Sequence, residues 1–339
     1  MSQTTTLRPE VSPEVAPEEA LDAPLNSTHV DTKRLDLPEG VDTSIVQWGY
    51  AISFVVIHAA ACLIFVPWLF SWVGVITFLV GMHVYGQLGV PICYHRLLTH
   101  KSFKSPKWFE RSLATLALFS AQETPARWVA WHRMHHQHSD HQPDPHSPLV
   151  TFFWAHAGWL CVRNKTTHNF LNYEKYARDI LQDPYYMWVE KLPMPMLLFF
   201  TGHAAIYFAV AWAISACFYG PASMEALRIA LSVLVWGVFA RVVLVWHFTW
   251  SVNSLSHLWG YRNHETTDDS RNNWFVAIVT GGEGWHNNHH ADQSSASVQH
   301  RWWEIDTNYY IIRLFEKVGL AWDIVPPLHV RRAEQARTK

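Results

Sequence analysis

Two pairs of long apolar runs, each pair joined by a turn too short to hold a domain, constrain this 339-residue chain more than any other feature. Gln47 to Pro67 carries no formal charge, and neither does Trp68 to Val90, which follows at once. Met196 to Tyr219 and Met224 to Phe248 make the second pair, joined across Gly220-Pro221. About 20 helical residues, rising about 1.5 Å each, match the ~30 Å hydrocarbon layer of a bilayer. A helix also satisfies its own backbone hydrogen bonds, as lipid requires. The expected fold class is all-α, a membrane protein with four transmembrane helices in two hairpins. A soluble all-α protein would have to hide four such runs from water. The fourth run carries Arg228, close enough to one end to snorkel, and Arg241, toward the other end. Leu113–Phe119 is apolar but too short to cross, and reads as a buried or interfacial helix.

The basic residues orient these runs. Residues 91–195 hold 12 of the 26 Lys and Arg, the stretch after Trp259 holds nine, and the two hairpin turns on the other side hold none. The positive-inside rule then places both termini and the middle segment in the cytoplasm. Residues 1–44 are rich in Thr, Pro, Glu, Asp and Ser and nearly free of aromatics, so they are expected to form a disordered tail. They lack the basic start and apolar run of a signal peptide. The folded domain is expected over 45–327, with a short C-terminal tail over 328–339. Net charge is −2 and no basic stripe exists, which argues against a nucleic-acid partner. Cys62, Cys93, Cys161 and Cys217 form no Cys-x-x-Cys pair and sit among apolar residues, so free thiols are expected rather than disulfides or thiolate zinc.

The chain has 22 histidines, and the dense clusters all fall on the cytoplasmic side. They are His95-Arg-Leu-Leu-Thr-His100 at the exit of the second run, His132-Arg-Met-His135-His136, and His286-Asn-Asn-His289-His290. The last two share a His-x-x-His-His spacing, which puts three imidazoles on one helical face. The five-residue spacing of His95 and His100 is about 140° round an ideal helix, so those rings meet only at a helix end or with help from another segment. Asn253 and His257 share a face at i, i+4. Nine clustered histidines exceed what one metal can bind, so two metals are expected. Nitrogen-rich sites suit iron, copper and zinc alike. There is no His-Glu-x-x-His of a zinc protease. Scattered histidines (His58, His83, His203, His300, His329) are expected to be structural. His141 and His146, in a polar loop, are expected to be solvated or to support ligands.

Together HRLLTH, WHRMHHQHSD, NSLSHLWGYR and GGEGWHNNHH resemble the three histidine boxes and the Asn/His motif of membrane fatty acid desaturases. The likeness is to the stearoyl-type Δ9 branch, which includes animal acyl-CoA and bacterial acyl-lipid enzymes, and it covers residues 45–327. It implies four spans beneath a cytosolic helical cap in a bacterial inner membrane. It also implies two iron ions, O2 as co-substrate, and an external electron donor. One iron would be held by His95, His100, His132, His136 and His289. The other would take His135, His257, His286 and His290, with Asn253 acting through water. Asp140, Asp144 and Glu283 are candidates to orient the rings. Trp250 matches a position lining the acyl tunnel, and Arg163 one that meets the substrate head group. The animal enzymes hold CoA with an Arg-Asp pair where this chain has Ala130-Trp131. Glu123 replaces an Asn and Asn164 a Lys. The extended third motif is closer to acyl-lipid enzymes. Neither a dinucleotide fold motif nor a fused cytochrome b5 motif is present. Ferredoxin or cytochrome b5 with its reductase is therefore the implied donor, and Lys101, Lys104 and Lys107 either steer it or anchor the protein. Membrane lipid and a long-chain acyl-lipid or acyl-CoA are the implied partners. Two other functions stay open: a related hydroxylase of an alkane, sterol or carotenoid, and a membrane zinc transporter.

Overall fold

The computed structural model describes residues 34–337. Among the described residues, four helices are long and apolar enough to cross a membrane: Trp48–Phe65, Trp72–Thr99, Pro195–Tyr219 and Met224–His257. They carry the large exposed apolar side chains expected against lipid, among them Val55, Phe65, Ile76, Ile206 and Phe218. The first hairpin closes through two tight helical turns, Cys62–Phe65 and Pro67–Leu69. The second closes at Gly220, whose φ of 88° is open to glycine at little cost. The far ends are stitched together. Ser71 Oγ lies 2.7 Å from Ser232 Oγ, and Trp236 Nε1 donates to the Leu69 carbonyl. Arg228 reaches the Phe70 carbonyl and pairs with Glu225, as a snorkelling residue near a helix end does.

The second and fourth spans outrun the expected ones. They contain 28 and 34 residues, or about 42 and 51 Å at the α-helical rise, against a ~30 Å apolar layer. The surplus projects beyond the lipid and carries His95 on one helix and Asn253 and His257 on the other. Arg241 is fully buried in the fourth span, donating to the carbonyls of Gly237 and Phe119.

Around these projections lies the cap. Helix Lys107–Leu118 is the short apolar segment read as buried, and Leu113, Ala114, Ala117 and Leu118 are indeed enclosed. It packs so tightly on the second span that a Cβ at Gly89 would stand 2.8 Å from the Ala117 backbone. Helix Pro125–His138 starts on Thr124, helix Phe170–Leu181 on Asn169 and helix Thr307–Lys317 on Asp306, each side chain accepting a first-turn amide.

Two boundaries differ from expectation. The tail assigned to 1–44 lies outside the described residues as far as residue 33. Its end is ordered, because Val41–Val46 forms strand β1 against Val162–Asn164, strand β2, antiparallel with Asp42 opposite Arg163. The β-branched run Val-Asp-Thr-Ser-Ile-Val suits an extended chain. The C-terminal stretch likewise holds a helix, Leu328–Arg337. The side chain of His329 lies outside the described residues. All four cysteines are free; Cys93 is buried, whereas Cys62 and Cys217 are exposed on lipid-facing helices.

Candidate metal centre

Nine histidines from distant parts of the chain meet above the membrane spans. His95, His100, His132, His136 and His289 form one group, and His135, His257, His286 and His290 a second. Within each group the ligand nitrogens all lie within 4.8 Å of one another. These are the two sets that the family resemblance implies. The simpler reading, that each His-x-x-His-His aims three rings at one point, does not hold. On an α-helix residue i+4 stands about 40° from residue i, whereas i+3 stands about 60° to the other side. Thus His132 and His136 enter the first group and His135 the second. Helix His286–Ala291 answers in reverse, sending His286 and His290 to the second group and His289 to the first.

The wide spacing of His95 and His100 is solved by the backbone. The end of the second span is wound with i→i+5 hydrogen bonds, and the His100 amide donates to the His95 carbonyl at 3.1 Å. A turn of that width returns residue i+5 to the side of residue i. The two ring centroids are 4.7 Å apart.

Carboxylates grip the rings from behind. The Nδ1 atom lies 2.6 Å from Glu283 in His95, 3.0 Å from Asp144 in His135, and 2.7 Å from Asp140 in His257. In His290 it lies 2.6 Å from Asp268. An ionised carboxylate only accepts, so each Nδ1 carries a proton, and each Nε2 is turned inward, where a metal would displace any proton it held. Asp140, Asp144 and Glu283 were expected; Asp268 was missed. It lies in the loop Glu-Thr-Thr-Asp-Asp-Ser, 22 residues before its partner, where the only sequence signal is a cluster of acids. Arg96, fully buried, pairs with Glu283 at 2.7 Å and Asp306 at 2.9 Å. Burial alone would raise the Glu283 carboxyl, but Arg96 and His95 outweigh it and hold the group at about 2. The two asparagines of the third box also have work. Asn288 donates to Glu304 and Asn287 accepts from the amides of Asn263 and His264.

The inward nitrogens fit a metal. His289 Nε2 faces both His95 Nε2 and His136 Nε2 at 3.0 Å, and His136 Nε2 faces His132 Nε2 at the same distance. In the second group His290 Nε2 and His286 Nε2 stand 3.1 Å apart. Two ligands at right angles, each about 2.1 Å from a first-row metal ion, are about 3.0 Å apart. His100 Nε2, His135 Nε2 and His257 Nε2 are buried with no hydrogen-bond partner. Burial, followed by the neighbouring imidazoles, pushes His100, His132, His136, His286 and His289 well below the ordinary histidine range, so these rings are the neutral species a metal binds. Asp268→Asn is expected to weaken metal binding about 10- to 100-fold without unfolding the protein. Metal titration into stripped protein checks this, and unchanged affinity would detach Asp268 from the centre.

Two cavities open on the first group. One, of about 330 Å³, runs between the second and fourth spans past Phe78, Leu79, Met82 and Ile278 to His95, His132 and His286. A narrower one, of about 70 Å³, is walled by Tyr50, Phe54, Trp246 and Trp250. Both touch Trp128, His132, Thr249 and Asn253. Trp250 thus lines a cavity that reaches His132 of the first group. Arg163 does not; it is exposed on β2 beside Asp42. His146 lines the narrow cavity with its ring 4.4 Å from that of His135, whereas His141 is tied by Nδ1 to the Ser139 carbonyl. His203 stacks on Phe119, and His83 bonds Gln87. Ala130 and Trp131 are buried, while Glu123 bonds Tyr50 and Arg127. Lys101, Lys104 and Lys107 are exposed, and each is paired with an acid.

The profile of the fatty acid desaturase family matches residues 67–324. An sn-2 palmitoyl-lipid 9-desaturase of Nostoc sp. (strain 36) is 38% identical over 300 residues, covering 86% of this chain and 95% of its own. An sn-1 stearoyl-lipid 9-desaturase of Anabaena variabilis is 37% identical over 279 residues, covering 82% and 94%. An acyl-CoA C20 Delta5-desaturase of Anemone leveillei is 37% identical over 273 residues, covering 80% of each. The chain belongs to the fatty acid desaturase family, and is an oxidoreductase held in a membrane by four apolar helices.

Proposed function

We propose that this protein introduces a Δ9-type double bond into a long-chain saturated acyl group carried on a membrane lipid, with O2 and two iron ions. Overall, a CH2–CH2 pair loses two hydrogens while O2, two electrons and two protons become two molecules of water. The observation that carries this reading is the junction of two features. Nine inward-facing imidazoles, four of them gripped by carboxylates, stand at the meeting point of two cavities lined mainly by apolar and aromatic side chains. The iron pair, when bound, would supply the oxidant strong enough to take hydrogen from an unactivated methylene.

The protein's own part is placement and dryness. His95, His100, His132, His136 and His289 would hold one iron, and His135, His257, His286 and His290 the other. Asn253, which faces both cavities, would complete the second through water. Trp250, Trp246 and Phe54 wall the narrow channel and exclude water from the chain. Misplacing a reacting carbon by about 1 Å can cost about 10²-fold in rate.

Several features favour a lipid carrier over CoA. The cyanobacterial relatives are named for lipid substrates. The Ala130-Trp131 pair offers no charge for CoA, and Glu123 presents a carboxylate at the channel wall. Arg163, on the surface, is the candidate for a lipid head group. The basic-residue distribution supports a site on the cytoplasmic side of the membrane. Electrons would come from a ferredoxin, or from cytochrome b5 with its reductase.

Expression in a host lacking monounsaturated fatty acids tests the proposal. Lipids carrying a 9-position double bond support it. A gain of oxygen on the chain would instead reveal a hydroxylase, and no new product with donor and O2 present would defeat it. In the same assay Trp250→Ala is expected to shift chain-length preference while both metals stay bound; equal loss of metal would contradict a role confined to the channel.

A further inference from the structure

Three histidines outside the metal groups form a continuous file against the aromatic wall. His58 comes from the first span, His247 from the fourth, and His156 from the helical segment Trp154–Gly158. His58 Nδ1 lies 2.7 Å from the Phe54 carbonyl, and His58 Nε2 lies 3.1 Å from His247 Nε2. His247 Nδ1 lies 2.9 Å from His156 Nε2, and His156 Nδ1 lies 3.0 Å from Ser254 Oγ. A carbonyl only accepts, so His58 Nδ1 carries its proton. For neutral rings the ring-to-ring links are then fixed: His247 Nε2 donates to His58 and His156 Nε2 donates to His247. That leaves His156 Nδ1 as an acceptor facing Ser254 Oγ, whose single proton is shared between His156 Nδ1 and the Trp250 carbonyl. The arrangement is serial. His247 turns opposite ring nitrogens to its two neighbours, so no point receives three lone pairs. That separates the file from the metal groups, where one Nε2 faces two others.

The file's position is what gives it meaning. It begins on the backbone of Phe54 and ends beside Trp250, whose carbonyl lies 2.9 Å from Ser254 Oγ. Both residues line the narrow channel. Between them Trp246 and Trp250 stack with centroids 5.5 Å apart, and Phe54 meets both edge-on at 5.2 and 5.1 Å. From behind, His58 braces Trp246 at 6.0 Å, while His247 and His156 brace Trp250 at 5.5 and 5.8 Å. All three rings are half-buried, so one broken link leaves two polar atoms short of a partner, and the file is expected to hold or fail as a unit.

We propose that His58, His247 and His156 are positioning residues, which lock the Phe54–Trp246–Trp250 wall and thereby fix which carbons of the bound chain face the metal centre. This rests on the proposed function, because it takes the narrow channel as the seat of the acyl chain. The test uses full-length protein with His247→Phe, which keeps a ring but neither hydrogen bond, and His247→Gln, which keeps a donor and an acceptor. Hydrogen exchange across residues 152–161 is expected to quicken several-fold in the phenylalanine variant and to return toward wild type in the glutamine variant. Metal content is expected to be unchanged in both. Product analysis is expected to show double bonds displaced to neighbouring carbons with phenylalanine and largely restored with glutamine. Unaltered exchange, or a double bond that stays at one carbon in both variants, overturns the proposal. A wild-type chain that forms no double bond from any lipid defeats the functional reading instead, and the exchange measurement then decides the file by itself.

Discussion

Purified with alanine in place of His290, the protein is expected to hold about one metal ion per chain instead of two and to form no unsaturated product. His290 is gripped by Asp268 at 2.6 Å and faces His286 Nε2 at 3.1 Å. Its removal takes one of four nitrogens from the second group and leaves Asp268 without its partner. Altering the residue behind a ligand already weakens metal binding about 10- to 100-fold, so losing the ligand itself should cost more. The first group has no bond to His290 and should keep its ion. Elemental analysis alongside turnover checks this, and two ions with retained activity would strike His290 from the ligand set. Loss of both ions would mean that the groups assemble as one unit.

Glu283→Ala is expected to destabilise the fold more than any ligand substitution, because two systems depend on one carboxylate. Oε2 grips His95 Nδ1 and Oε1 pairs with Arg96. Arg96 is 1% exposed and cannot turn to water for help. Removing one partner of a buried pair costs about 3–5 kcal/mol, since the other charge is left behind. Asp306 still neutralises Arg96 in part, which places the expected loss near the lower end of that range. Melting of metal-free protein in detergent isolates the ion-pair contribution from metal binding, and Glu283→Gln, which keeps a hydrogen-bonding oxygen, should lose less. A melting point matching wild type for the alanine variant would show that the pair carries little of the fold.

The membrane spans were legible because lipid imposes a one-dimensional rule: some twenty residues without charge. Their true ends were not. Polar residues such as Tyr94, His95 and Arg96 mark where a helix leaves the lipid, and the second span simply continues to Thr99. Hydropathy reports the solvent around a helix and is blind to whether the backbone hydrogen bonds go on. The same blindness hid the wide winding that unites His95 with His100, a matter of backbone bonding that side-chain spacing does not encode. Among the site residues the histidines stood out by density. Their division into two groups came from family resemblance, since periodicity alone put each trio on one face. Asp268 escaped because its role depends on a loop folding back over 22 residues, and no local pattern records that. His156 and His247 escaped for the opposite reason: each is a single polar residue in an apolar stretch, ordinary until tertiary structure lines them up.

The two overlong spans have a mechanical corollary. Where they leave the hydrocarbon they stay rigid, so the reaction centre's height and bearing are inherited directly from the pitch of the rods that carry it. One residue inserted midway along either would swing its histidine-bearing tip by about 100° and raise it by about 1.5 Å. The same insertion at the Gly220-Pro221 bend would disturb neither rod's upper reach. Lineages can therefore lengthen such a chain freely at its elbows, but within these two shafts only by whole turns.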